Sequence, residues 1–447
     1  MRRASIAAIA RRFLFGRPGV SGLSRRVRGG VVGVGLSLIP LVVVLQVTDG
    51  MIAGITDRFI EAGSSHIQAV ARVEQSEEEV RARIEALGQI EGVELAAYER
   101  QGIGLAAARE SRTAVTVRAV EPDLLARDPG LEQYLEIQEG AWDLSSDESI
   151  VLGSFVADEL GLSIGDPVRV LTARPLAGGR FLPRSSSFTV TGIVSTGYAD
   201  LDRLWVFVPV ARGASILPEE SSRLIIGLKI GDPLDLPNPL FAAPAGRQET
   251  ARAIVQEVRD ELGTDYRVAT WFEADRAKYM SFKTTKDLLI FIMVLIVIVA
   301  AVNISSTLVM LVLEKQEEIA ILKSMGASPA GIRWVFVGAG FVLGALGTSL
   351  GLAVGLLLAV YVNELLWAIE WVINALSSLW AWVFGGTNGG DFELLSADFY
   401  LQEIPITIQL EDLLLIAFLS LLLSAAAAYF PARRAARIRP LEVLRRH

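Results

Sequence analysis

The residue types that most often do chemistry are scarce in this chain. Its 447 residues hold two histidines, His66 and His447, and no cysteine. That excludes disulfides, thiolate zinc sites, a cysteine nucleophile and an acylated lipobox cysteine. No acidic cluster with metal-ligand spacing accompanies either histidine, so no metal site is expected. No lysine follows a glycine, so the phosphate-cradling loop G-x-x-x-x-G-K-[ST] is missing, as is an H-E-x-x-H helix. The chain is therefore not expected to be an enzyme. One stretch does have the types and spacing to grip another protein: Glu314-Lys315-Gln316-Glu317-Glu318-Ile319-Ala320-Ile321-Leu322-Lys323-Ser324-Met325-Gly326-Ala327. As a helix it sets an apolar stripe of Ile319, Leu322 and Met325 beside a charged face. A mere linker has no need of such a stripe.

The elements that present this segment are read from hydropathy. The composition is 52% hydrophobic with a mean hydropathy of +0.44, and the apolar residues fall in blocks, as in an integral membrane protein. Four runs, near 29–49, 287–313, 334–365 and 411–430, are long enough for about 30 Å of hydrocarbon, which takes roughly 20 helical residues. Residues 1–28 are arginine-rich without an acid, and the 431–447 tail is basic, so both termini are expected in the cytoplasm. The fold class that follows is a membrane protein with four transmembrane helices, one plus three. A large α+β extracytoplasmic domain, residues 50–286, is inserted between the first and second. The 314–333 loop is then cytoplasmic and 366–410 external. No small-x-small cleavage site follows Val47, so the first run reads as an uncleaved anchor. Ile6, Ile9 and Phe13, interleaved with arginines, suit a helix on the cytoplasmic membrane surface.

Gly340, Gly344, Gly347, Gly351 and Gly355 recur every three or four residues in the third run and predict a close helix-packing face. Asn303, Ser305 and Ser306 place interhelical hydrogen-bonding groups in the second. No ionisable residue sits near the middle of any run, which argues against a proton- or ion-driven carrier. Trp367, Trp371, Trp380 and Trp382 mark 365–384 as a helix at the headgroup level rather than a fifth span.

Residues 50–286 divide into an outer platform, 50–120 with 223–286, and a β-rich insert, 121–222. In the platform the patterns read as strand 66–73, helix 77–87, strands 93–105 and 113–120, then strand 224–230, helix 248–262 and strand 266–271, a split βαβ arrangement. In the insert a helix at 155–160 and strands at 168–172, 188–194 and 204–208 are expected. Between two of them a basic loop, 173–184, carries Arg174, Pro175, Phe181, Leu182, Pro183 and Arg184, and its apolar tip calls for a partner. The domain is net acidic and the basic stretches abut the spans, so no nucleic-acid partner is expected.

One span, a large external domain, three more spans and an internal helix together resemble the FtsX/MacB-like permeases of ABC transporters, and more closely the lipoprotein-releasing LolC/LolE type. The resemblance rests on the 314–327 segment, on Val47-Thr48-Asp49-Gly50-Met51 and on the Pro431 to Arg445 tail. It implies that Glu314, Lys315, Glu318, Ile319, Leu322, Lys323, Met325 and Gly326 form a coupling helix for a dimeric ABC ATPase subunit. It implies a second permease subunit, homologous or identical, lipoprotein cargo in the lipid bilayer, and a periplasmic lipoprotein chaperone docking on the 173–184 loop. Leu45, Met51, Ile55, Met280 and Phe282 would wall a cargo cavity. No cofactor is expected on this chain, ATP and magnesium belonging to the ATPase, and the location implied is the cell inner membrane. The alternative function keeps the architecture for efflux or mechanotransmission without lipoprotein extraction.

Overall fold

The computed structural model describes residues 21–73, 75–176, 180–218, 222–241, 243–384 and 405–438. The chain forms two compact units. One gathers Met1–Met51, Thr284–Phe392 and Ile404–His447; the other holds Ile52–Lys283 with Glu393–Glu403. The expected surface helix before residue 21, residues 385–404 of the expected external loop and the tail from 439 onward lie outside the described residues.

Helix α1 (Ser21–Arg58) continues as a π-helical turn, Phe59–Ser64. There follow β1 (Ile67–Ala71), α2 (Glu77–Leu87), β2 (Val93–Ala108), β3 (Ser111–Val120), α3 (Pro129–Tyr134), β4 (Glu136–Gly140), β5 (Ser149–Gly153) and α4 (Ser154–Leu160). Next come β6 (Pro167–Leu176), β7 (Arg180–Ser195), β8 (Trp205–Pro209), α5 (Val210–Ile216), β9 (Ser222–Ile230), α6 (Ala245–Leu262) and β10 (Tyr266–Thr270). Helix α2 starts where it does because Ser76 and Glu79 form a reciprocal capping box, the Glu79 carboxylate accepting from the Ser76 N–H at 2.8 Å.

The four platform strands lie in the order β10-β1-β9-β2 with every neighbour antiparallel. Each helix returns the chain across one strand, so α2 and α6 pack on the sheet through Val80, Leu87, Ile254, Val258 and Leu262. Strand β3 differs from expectation. It pairs with β2 on one side and in parallel with β8 on the other, so 111–120 joins platform and insert in one 10-stranded sheet. Strands β4 and β5 are additions to the sequence reading. All of β5, Ser-Ile-Val-Leu-Gly, is buried and lacks alternation, while β4 is an exposed edge strand. Residues 173–176 and 180–184 of the basic segment are paired strand: β6 and β7 stay in antiparallel register from Pro167↔Thr189 out to Leu176↔Arg180, making a hairpin arm, while 177–179 lie outside the described residues.

The other unit is helical. Its remaining helices are α7 (Arg276–Glu314), which begins before the unit boundary, α8 (Gln316–Ser324), α9 (Pro329–Val360), α10 (Val362–Phe384) and α11 (Leu410–Ala436). Among the described residues four helical stretches, Arg28–Ser64, Arg276–Glu314, Pro329–Val360 and Leu410–Ala436, are long and apolar enough to cross a membrane. The third run stops at Val360, short of the expected 365, because the helix breaks at Tyr361 and restarts as α10. Trp367 and Trp371 of α10 are exposed; the side chains of Trp380 and Trp382 lie outside the described residues.

The glycines of α9 meet two helices rather than one. A Cβ at Gly340 or Gly344 would lie 2.3 or 2.4 Å from the Cβ of Ala428 or Ser424 on α11. At Gly347, Gly351 and Gly355 it would lie 2.6, 2.8 and 2.8 Å from Val34, Leu38 and Val42 on α1. Five missing methyl groups thus seat α9 between two neighbours at backbone contact, the packing available where lipid supplies no hydrophobic drive. A Thr348–Ser420 hydroxyl pair at 2.7 Å adds a polar link.

Candidate coupling site

Helix α8 stands between the C-terminal end of α7 and the N-terminal end of α9. Its end is a Schellman turn: Gly326 takes φ +90, Ala327 N–H donates to the Leu322 carbonyl at 3.0 Å, and Gly326 N–H donates to that of Lys323 at 3.0 Å. Ser328 then caps α9, its hydroxyl accepting from Gly331 N–H at 3.1 Å. With both ends fixed, α8 presents one defined surface.

The expected stripe is divided between inside and outside. Ile319, 1% exposed, and Ala320 face inward into the helical core, so Ile319 is unavailable to a partner. Leu322 is half-buried. The apolar groups actually presented are Met325, 80% exposed, and Ile321, 49% exposed, flanked by exposed Glu314, Glu317 and Glu318. Lys315 pairs with Glu318 on that surface.

Lys323 is also turned inward. Its Nζ donates to the Ala436 carbonyl at 3.0 Å and the Ile438 carbonyl at 2.6 Å, filling acceptors left open where α11 ends. An ammonium at a helix C-terminus also complements the helix dipole, worth about 0.3–1 kcal/mol and up to about 2 when partly buried. Lys323 therefore ties α8 to α11 instead of offering charge to a partner. Lys323→Met should cost about 1 kcal/mol and loosen α8, read as faster proteolysis within 314–328 of the detergent-solubilised protein while helix content is unchanged.

The far end of the same bundle carries a cluster that sequence reading does not single out. Lys286 of α7 lies 3.0 Å from Asp49 of α1 and 3.0 Å from Asp412 in the first turn of α11, and donates to Gln409 at 3.0 Å. Asp49 is 2% exposed. Beside it, a Cβ on Gly50 would stand 1.7 Å from the Pro405 carbonyl oxygen, so the 405–406 backbone crosses α1 where only glycine fits. The signal available in the sequence is the Asp49-Gly50 pair itself.

The domain has its own buried network. Lys229 of β9 lies 2.7 Å from Glu61 in the π-turn and 2.6 Å from Asp128, the N-cap of α3. Ile230 N–H donates to His66 Nδ1 at 2.9 Å, so Nε2 carries the proton it gives Glu61 at 2.9 Å. Arg118 of β3 donates to the Ala62 carbonyl at 2.6 Å and pairs with Glu99 at 2.8 Å. His66 is thus a structural group with both nitrogens engaged.

The other predicted residues scatter. On the hairpin, Leu182, Pro183 and Arg184 are exposed; the side chains of Arg174, Pro175 and Phe181 lie outside the described residues. Of the five cavity residues, Leu45 belongs to the helical core, Ile55 and Phe282 pack on two different domain clusters, Met51 is half-buried and Met280 is exposed.

Two families match this architecture along the chain. The MacB-like periplasmic core domain covers residues 31–236, and the FtsX-like permease C-terminal family covers residues 290–440. The chain thus joins a MacB-like periplasmic core domain to an FtsX-like permease domain. Among the relatives of this permease is the lipoprotein-releasing system transmembrane protein LolC of Neisseria meningitidis serogroup B, 31% identical over 66% of this chain and 64% of the relative. LolC of Xylella fastidiosa strain Temecula1 is 27% identical over 93% of this chain and 92% of its own. LolE of Haemophilus influenzae is 28% identical over 70% and 68%. The chain spans about 64% of the length of the Neisseria relative. The permease is accordingly a multi-pass membrane protein with an inserted MacB-like periplasmic domain.

Proposed function

We propose that this permease couples ATP hydrolysis by a separate ATPase subunit to extraction of lipoproteins from the inner membrane. In this reading the four helices span one plus three with both termini in the cytoplasm, and two permeases pair over an ATPase dimer that alone uses ATP and magnesium. The observation that carries the coupling is the divided surface of α8: Ile319 and Lys323 are anchored inward, while Ile321 and Met325 are offered outward beside acidic side chains. A push on that surface is delivered to α11 through Lys323 and to the bundle core through Ile319.

The energetics call for such a motor. Moving acyl chains into water costs about 0.8 kcal/mol per methylene, so three chains of roughly fifteen carbons approach tens of kcal/mol. Closure of the ATPase would tilt the spans, and the domain would pass the released lipoprotein to a periplasmic chaperone held by the β6–β7 hairpin, whose exposed Leu182 needs a cover. Depleting the permease tests the cargo. The expected result is newly made lipoproteins retained in the inner membrane on density fractionation, with sensitivity to amphiphilic drugs unchanged. Normal lipoprotein distribution together with new drug sensitivity would overturn this reading in favour of efflux.

A further inference from the structure

The uncovered face of α7 holds a chemical misfit. Leu295, Ile298, Val299, Val302 and Met310 are exposed and recur at helical spacing, a stripe that the bundle leaves bare. Asn303 and Ser306 lie in the same stripe and are also exposed. On the opposite side of the helix, Val297, Ile304 and Leu308 fill the bundle core. The amide thus points away from its own unit within an apolar run. Thr307 Oγ1 bonds to the Asn303 backbone carbonyl at 3.0 Å, not to the side chain.

Hydrocarbon gives an amide nothing to bond. A serine in a helix can return its hydroxyl to a carbonyl one turn back, but a carboxamide presents two donors and an acceptor that need an outside partner. Helix α11 shows the contrast: the side chains it exposes between residues 414 and 422, Leu414, Leu415, Phe418 and Leu422, are apolar. A partner for the α7 face must be apolar over most of its length and able to donate and accept at one level. Acyl chains fail the second requirement. The same face of another α7 meets both, because a carboxamide is its own complement and a two-fold axis brings identical residues together.

We propose that α7 packs against α7 of a second copy of this chain, Asn303 bonded to Asn303 across a two-fold axis, with Ser306 one turn away at the same seam. This deepens the reading of the chain as one of two paired permeases and rests on it. The absence of native cysteine makes the test clean. Two differently tagged copies, co-expressed with the ATPase subunit, should be recovered together. In native membranes, oxidation with copper phenanthroline should link Asn303→Cys copies by a disulfide and leave Phe418→Cys copies monomeric. Asn303→Leu, which suits both helix and lipid, should insert normally and lower recovery of the mixed pair about tenfold. Mixed pairs recovered without cross-linking of the Asn303→Cys copies, or ready labelling of the Asn303→Cys thiol by a membrane-impermeant maleimide, would overturn the seam while leaving pairing intact. Absence of mixed pairs from the parent protein would sink the paired reading and the seam with it.

Discussion

Lys286→Met is expected to cost about 3–5 kcal/mol, the usual penalty for removing one partner of a buried ion pair. The lysine is the only cation at 3.0 Å from both Asp49 and Asp412 among the described residues, and it joins three helices. Without it two carboxylates, one of them 2% exposed, face each other at the end of the bundle. Methionine matches the stem in volume, so the effect isolates the charge. The purified protein should lose its thermal transition in detergent or show it many degrees lower. The triple change Asp49→Asn, Lys286→Met, Asp412→Asn should recover most of the loss, because removing all three charges together is close to neutral. A Lys286→Met protein as stable as the parent would show that these groups do not hold the helices.

A comparable loss, again about 3–5 kcal/mol, is expected for Lys229→Met in the domain. Lys229 serves Glu61 and Asp128 at 2.7 and 2.6 Å and also donates to the Glu61 carbonyl at 2.9 Å. Its removal frees Glu61, whose other oxygen accepts from His66, and weakens Asp128, which caps α3 by accepting from Leu131 N–H at 2.9 Å. The π-turn, β1, β9 and α3 all lose a shared anchor. Limited proteolysis of spheroplasts should clip the variant domain at low protease, while yield of the complex with the ATPase stays near the parent level. Equal protease resistance would mean that the network does not organise the domain.

The parts of the fold legible in the sequence are those governed by neighbours along the chain. Helix α2 is readable because Ser76 and Glu79 write its start and Val80 and Leu87 its inward face. Strand β2 is readable from its alternation. What stays hidden depends on partners far away. Strand β5 has no alternation because both its faces are covered, and β3 looks the same whether it ends a platform or begins an insert. The 173–184 segment reads as a loop from its prolines and glycines, yet pairing between residues 173–176 and 180–183 keeps those residues extended. In α8 the spacing of Ile319, Leu322 and Met325 gives a stripe but not its owner, and the bundle core claims Ile319. The two ion networks join residues 49, 286 and 412 in one case and 61, 128 and 229 in the other, separations that no local pattern reports.

The central claim is that the outward surface of α8 is where the ATPase pushes. A photoreactive amino acid in place of Met325, the most exposed apolar residue of that segment at 80%, tests it in living cells. Irradiation should yield an adduct of the permease with the ATPase subunit, and the same probe at Leu182 should yield none. No ATPase adduct at position 325, or one at position 182, would contradict the account.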